Sequence, residues 1–306
     1  MQHPELRAKP FLKWAGGKTQ LLPDIQELLP PELGQGKIKR YLEPFVGGGS
    51  VFLFLAQFYK LEEIIIFDIN SELLVAYRTV REDVEGLIKQ LTRLRQSFLS
   101  LPEPDQARFF YEQRDLFNAG RSEIVFPHFQ SSWIRHTSQF IFLNHTCFNG
   151  LYRTNSKLDF NVPFGKYRQP SIFDEYNLRA VSQVLQKVRI VRGDFELCNE
   201  WATENTFVYF DPPYRPISKT ASFSTYYKAG FGDDEQVRLA ALLRRLDSKD
   251  AKLMLSNSDP KNENPNDEFF DELYRGFRIS RVKATRAINS NGAKRGQISE
   301  LIITNY

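Results

Sequence analysis

Sulfur and imidazole are scarce in this 306-residue chain, which has two Cys, two Met and four His. Cys147 and Cys198 form no Cys-x-x-Cys pair, and neither they nor the histidines take a zinc-ligand spacing. A disulfide framework and a structural zinc are therefore not expected. No apolar run approaches the ~20 residues that cross a bilayer, and Met1–Pro10 lacks a basic-then-apolar signal. These absences predict a soluble protein of a reducing, cytoplasm-like compartment, without membrane or metal. Charge of one sign is also lacking: 41 basic residues stand against 37 acidic ones, a net +4. A polyanionic partner is then expected only where the cations cluster. No oligomer signal is legible, so a monomer is the default. Aromatic residues are plentiful, with 26 Phe and 13 Tyr, and serve either a large core or surfaces that stack on bases. The length fits two domains better than one.

From Ile38 the chain reads as a strand to Glu43, a turn Pro44-Phe45-Val46-Gly47-Gly48-Gly49-Ser50, a helix Val51–Tyr59 and a strand Glu63–Phe67 that ends in Asp68. This βαβ beginning implies a parallel sheet. From Asn70 to about Arg121 apolar residues recur at helical spacing (Leu73, Leu74, Tyr77; Leu87, Leu91, Leu94), which predicts several helices. Ser131–Pro170 changes to aromatic, Asn and Gly residues with little periodicity and reads as an inserted, loop-rich functional segment. Strand-like runs resume at Val188–Val191, Thr206–Phe210, Lys252–Leu255 and Leu301–Thr304, with a helical run Asp234–Leu246 and a polar loop Asn257–Asp267. The expected fold is thus α/β, split by an insertion.

The Gly47–Gly49 turn follows a strand and opens a helix, where the backbone can approach a ligand that a Cβ would exclude. Asp68 follows Gly49 by 19 residues, at the tip of the next strand. That pairing suits ribose hydroxyls of a nucleoside cofactor, nicotinamide-based or S-adenosylmethionine, without choosing between them. Asp211-Pro212-Pro213-Tyr214 comes straight after the apolar strand Phe207–Phe210. An acid at the carboxyl end of such a strand lies where ligands bind, and two prolines fix the turn and remove two backbone donors. Asp211 and the Pro212 carbonyl can accept both N–H bonds of an exocyclic amine while Tyr214 stacks on the base. Holding both protons from one side favours a pyramidal nitrogen whose lone pair is free to attack an electrophilic methyl. A capping Asp beside a core Tyr is the plainer reading. Gly17-Lys18-Thr19 ends like a phosphate-binding loop, but the first glycine of that motif would fall on Leu12.

With these strings in view, the chain resembles the Dam-like DNA adenine-N6 methyltransferases in which a target-recognition insertion precedes the catalytic motif. The match runs almost end to end, through Phe11–Lys18, Glu43–Phe52, Asp68–Ser71, Phe160–Tyr167 and Asp211–Tyr214. The resemblance implies an α/β, Rossmann-like S-adenosylmethionine-dependent methyltransferase sheet with an inserted, mainly helical target-recognition domain. It assigns residues 1–70 and 173–306 to the catalytic domain and 71–172 to target recognition on duplex DNA. It matches Trp14, Lys18, Glu43, Phe45, Gly47, Gly49, Asp68 and Asp211 to cofactor binding, and Asp211, Pro212 and Tyr214 to catalysis. It places Lys13, Phe148, Asn149, Leu151, Arg153, Pro163 and Tyr167 at base-contacting or wedging positions, with Phe148 where a tyrosine is familiar. The implied site is GATC, with the target adenine flipped out of the duplex.

Two basic segments bear on the polymer. Ser131–Ile172 carries Arg135, Arg153, Lys157, Lys166 and Arg168 against one acid, Asp159, with Phe148, Tyr152 and Tyr167 interleaved. Arg278–Gln297 has six Lys/Arg, no acid and the string Ile288–Gly292. It is expected to clamp phosphates, with a plain basic β-hairpin as the competing reading. No cysteine follows a proline, which disfavours cytosine-C5 chemistry. Asp rather than Ser at position 211 favours adenine over cytosine-N4 by resemblance. An enzyme acting on structured RNA and a catalytically silent DNA-binding regulator are the alternatives.

Overall fold

The computed structural model describes residues 8–121, 124, 126, 128–215, 231–285 and 297–306. Among these residues there are seven strands: β1 Arg40–Pro44, β2 Glu63–Asp68, β3 Val188–Arg192, β4 Thr206–Phe210, β5 Lys252–Ser258, β6 Arg278–Thr285 and β7 Gln297–Thr304. The chain divides into two compact units, one of the described residues of 1–17, 47–57 and 68–192, the other of those of 18–46, 58–67 and 193–306.

The second unit is built on strands in the order β2-β1-β4-β5-β7-β6. β2, β1, β4 and β5 run parallel, with Leu42 paired to Ile65 and Val208 and with Phe210 paired to Leu255. Their cores, Ile64–Phe67 and Phe207–Phe210, are apolar without alternation and buried throughout, as strands covered on both faces must be. β1 has β2 on one side and β4 on the other, which is the reversal point where the carboxyl ends of parallel strands leave a crevice. Glu43 and Pro44 close β1 there, and Asp211 follows the end of β4. β7 runs antiparallel to β5 and to β6. The basic segment from Arg278 therefore begins as a hairpin strand. Arg281 is occupied by acids, its Nε donating to Asp259 at 2.9 Å and its Nη2 to Asp271 at 2.8 Å. Arg286, Lys294, Arg295 and Ile288–Gly292 lie outside the described residues. The helix Asp233–Asp247 carries three acids in its first turn and Arg244 and Arg245 in its last, complementing its dipole, and buries Leu239, Leu242, Leu243 and Leu246.

The first unit is mainly helical, with helices Ser50–Phe58, Ser71–Glu82, Val84–Leu99, Glu103–Gly120, Ser132–Thr146 and Glu175–Leu185. Asn70 caps the second of these, its side chain accepting from Glu72 and Leu73 N–H. The expected loop texture from Ser131 is corrected: Ser132–Thr146 is a helix buried on nearly every side, including Trp133, Phe140, Ile141, Phe142 and Leu143. Its polar residues His136, Thr137, Gln139 and Asn144 are buried with the apolar ones, so no solvent face marks its period in the sequence. Tyr152 belongs to the same core, stacked on Trp14 at 5.6 Å and edge-on to Phe140 at 5.3 Å. It is not an exposed ring for bases. In the other unit the predicted loop Asn257–Asp267 begins as strand, because β5 runs on through buried Ser256, Asn257 and Ser258.

Candidate active site

Asp211 is anchored by two buried side chains of the sheet unit. Lys18, 3% exposed, donates from Nζ to Asp211 Oδ1 at 2.6 Å. Ser256 donates to the same oxygen at 3.3 Å, and Ser256 is itself 2.7 Å from the buried Tyr209 hydroxyl. Burial raises the Asp211 carboxyl above its ordinary value against the opposing pull of Lys18 and Ser256. Burial, the largest influence, would lower the Lys18 ammonium, but Asp211 together with Tyr209 and Glu300 offsets it and leaves Lys18 raised. The Lys18 ammonium also lies 5.0 Å from the centre of the Tyr214 ring, whose hydroxyl donates to Glu300 at 3.0 Å. Pro212 is buried, the Pro213 carbonyl accepts from Gln236 at 3.4 Å, and Arg215 grips Asp233 and Asp267. The four-residue turn is thus fixed from both ends.

Two more predicted cofactor residues lie at the end of β1. Glu43 is buried and accepts from the Tyr41 hydroxyl. Phe45 takes φ +60, a region costly for a bulky residue, and its ring meets Phe195 and Phe231 at about 5.5 Å. Backbone strain of this kind persists where the surroundings impose it, and functional turns collect it.

The other predicted cofactor residues belong to the helical unit. Gly49 has φ +74, and a Cβ there would meet the Phe52 ring at 2.2 Å and the Tyr77 hydroxyl at 2.5 Å. That hydroxyl donates to the Gly47 carbonyl at 2.9 Å. The turn tolerates only glycine at this place. Asp68 accepts from the N–H of Asn70 at 2.9 Å and of Gly47 at 3.5 Å. Burial nevertheless pushes its carboxyl up to about 6. Trp14 is half-buried and its carbonyl accepts from Gly17 N–H at 3.1 Å.

Most of the predicted base-contacting residues converge in that same unit. Asn149 adopts the left-handed region at φ +55, and its N–H donates to the Tyr167 hydroxyl at 2.9 Å. Phe148 N–H donates to the Pro163 carbonyl at 2.9 Å while its ring stands 52% exposed. Lys13 is tied to the turn through Asn144, which accepts from its N–H at 2.7 Å and donates to its carbonyl at 2.9 Å. The Lys13 ammonium lies 5.2 Å from the Tyr167 ring. Arg153 stands at the exposed rim, its Nε donating to Asn161 at 2.9 Å, and Leu151 is half-buried beside it. Among the described residues no group of three His, Cys, Asp or Glu side chains could hold a metal ion.

Residues 14–288 match the family model of the D12 class N6 adenine-specific DNA methyltransferase. The chain is 51% identical over 302 residues to "Type II methyltransferase M.MjaIII" of Methanocaldococcus jannaschii, covering 98% of this chain and 100% of that protein. It is 37% identical to "Type II methyltransferase M1.LlaDCHI" of Lactococcus lactis, covering 100% and 98%. It is 34% identical to a "DNA adenine methylase" of Haemophilus influenzae, covering 98% and 94%. The chain belongs to the D12 class of N6 adenine-specific DNA methyltransferases. Its α/β sheet is the Rossmann-like sheet of such enzymes.

Several polar residues around the D12 methyltransferase's Asp211 turn were not anticipated from sequence: Tyr209, Ser256, Gln236 and Glu300. One signal existed for Ser256. The apolar run Leu253-Met254-Leu255 turns abruptly into Ser256-Asn257-Ser258-Asp259, and polar residues closing a central parallel strand fall where ligands bind. The helical unit holds a second unanticipated cluster, in which buried Glu72 accepts from Arg121 at 2.7 Å and pairs with His136. It ties three helices together. No helix among the described residues is long and apolar enough to cross a membrane.

Proposed function

We propose that this methyltransferase transfers a methyl group from S-adenosylmethionine to N6 of an adenine flipped out of GATC in duplex DNA, acting as a monomer in the cytoplasm. The observation that carries this reading is the Asp211–Tyr214 turn, whose carboxylate is anchored by buried Lys18 at 2.6 Å. The residues fit the cofactor: Asp68 offers a carboxylate at the strand tip, and Gly49 holds a turn that any Cβ would obstruct. Trp14, Lys18, Glu43, Phe45, Gly47, Gly49, Asp68 and Asp211 are the cofactor-binding set. S-adenosylmethionine, when bound, supplies the methyl on a sulfonium sulfur.

The chain's own residues then do the rest. Tyr214 stacks on the target base, with its hydroxyl restrained by Glu300. Asp211 and the Pro212 carbonyl accept the two N–H bonds of the exocyclic amine, drawing its lone pair out of conjugation. Lys18 opposes the rise that burial imposes on the Asp211 carboxyl. The amine's proton is lost after the new N–C bond makes the nitrogen cationic, so no base of matched pKa is needed beforehand. Flipping costs a few kcal/mol, which Tyr167 and Leu151 offset as wedges. Residues 71–172 act as the target-recognition domain, with Lys13, Phe148, Asn149, Arg153 and Pro163 reading the site; residues 1–70 and 173–306 carry the chemistry.

Transfer of labelled methyl to a GATC duplex, beside one whose GATC adenine is already N6-methylated, tests the reading. Label in the first and not in the second is expected. Equal labelling of both, or of a duplex lacking GATC, would contradict the assigned atom and site.

A further inference from the structure

We infer that Ser256 is a positioning residue for the methyl transfer, which with Tyr209 fixes the rotation of the Asp211 carboxylate so that its second oxygen faces the substrate amine. This rests on the reading of Asp211 as the amine's acceptor. β4 and β5 run parallel with Tyr209 opposite Met254 and Phe210 opposite Leu255, so Ser256 arrives beside Asp211 by register alone. Tyr209 and Ser256 are both 1% exposed, and a buried hydroxyl must place its proton. A serine has one proton to give. Because Ser256 donates to Asp211 at 3.3 Å, the Tyr209 hydroxyl at 2.7 Å must donate to Ser256. Burial holds the Tyr209 phenol well above its ordinary range, so that proton stays in place. The chain of donors runs one way, from Tyr209 through Ser256 to Asp211.

Both Lys18 and Ser256 address Oδ1 of Asp211. Two donors from different elements on one oxygen restrict the rotation of the carboxylate more than the lysine alone would. The other oxygen is then presented in one orientation. An acceptor set in advance contributes to rate rather than to affinity, because nothing has to reorganise when the amine begins to gain charge.

The test uses the full-length enzyme on a duplex that the wild type methylates, comparing Ser256→Ala, Ser256→Thr, Tyr209→Phe and Asp211→Asn. Ser256→Ala is expected to lower kcat about 10-fold, the weight of one hydrogen bond to a charged group, with KM for DNA and for cofactor unchanged. Since the serine bond favours the ionised carboxylate, its loss moves the acid limb of the kcat profile to higher pH. Ser256→Thr restores both, and Tyr209→Phe shifts both in the same direction as Ser256→Ala and reads the same donor chain should that variant not fold. Unchanged kcat and pH limb in Ser256→Ala or Tyr209→Phe, with Asp211→Asn inactive, would overturn the positioning role alone. Full activity of Asp211→Asn would instead overturn the reading beneath it.

Discussion

The Asp211–Tyr214 turn is held by side chains that are themselves buried and keeps its ring against them, whereas the Phe148–Gly150 turn is held by backbone bonds together with the side chains of Asn144 and Tyr167 and offers the Phe148 ring to solvent. At the first, Lys18, Ser256 and Gln236 reach Asp211 and Pro213 at the end of a central strand, with Tyr209 bonded to Ser256 behind them. At the second, the contacts are main-chain N–H groups of Phe148 and Asn149, a left-handed Asn149 and a glycine packed against Lys13. Under the proposed function, the contrast matches what each turn would do. Stabilising developing charge requires fixed dipoles in a dry place, while reading bases requires groups that reach outward and accept a partner's surface.

The largest expected effect breaks the buried side. Asp211→Ala should lower kcat about 10²–10³-fold, the loss seen when one pre-set polar partner of a transition state is removed, with duplex affinity nearly unchanged. Single-turnover methyl transfer and a binding titration check it. Next comes Gly49→Ala, where the added methyl falls 2.2 Å from Phe52 and φ is +74. About 2–4 kcal/mol of stability should be lost through strain and overpacking, visible as a lowered thermal midpoint. On the exposed side, Arg153→Ala should leave the rate on the preferred duplex largely intact at saturation and reduce discrimination against a changed base pair by about 1–3 kcal/mol. Competition between matched and mismatched duplexes measures that.

Asp68 sharpens the comparison through pH. Burial pushes its carboxyl from 3.8 up to about 6, so the fold binds a proton that the unfolded chain releases. Stability is therefore greatest below the ordinary value and declines as pH rises toward 6. Asp68→Asn should raise the thermal midpoint of the ligand-free protein at pH 8 by a few degrees, yet weaken cofactor binding about 10–100-fold through the loss of charged hydrogen bonds. Calorimetry with and without cofactor separates the two.

Local features were legible in the sequence and tertiary ones were not. The step from β1 through the glycine turn to Asp68 is contiguous, and its residue types state its geometry. Asp211–Tyr214 was equally readable because proline fixes its own backbone. Ser256 lies 45 residues from Asp211 and Glu300 lies 86 from Tyr214, so only strand register brings them together. The helix Ser132–Thr146 hid for a different reason, burying polar residues such as His136, Thr137, Gln139 and Asn144 alongside its apolar ones, so that no polar face marks its period. Arg281 donates to Asp259 and Asp271, partners that charge counts along a chain do not reveal.

The central claim is that rate resides in the buried turn and base choice in the exposed one. Single-turnover methyl transfer at saturating duplex, measured side by side for Asp211→Asn and Arg153→Ala, tests it most directly. The account predicts that Asp211→Asn loses most of the rate on every duplex, while Arg153→Ala keeps it and methylates altered sites more readily. A rate lost equally in both, or kept in Asp211→Asn, would contradict it.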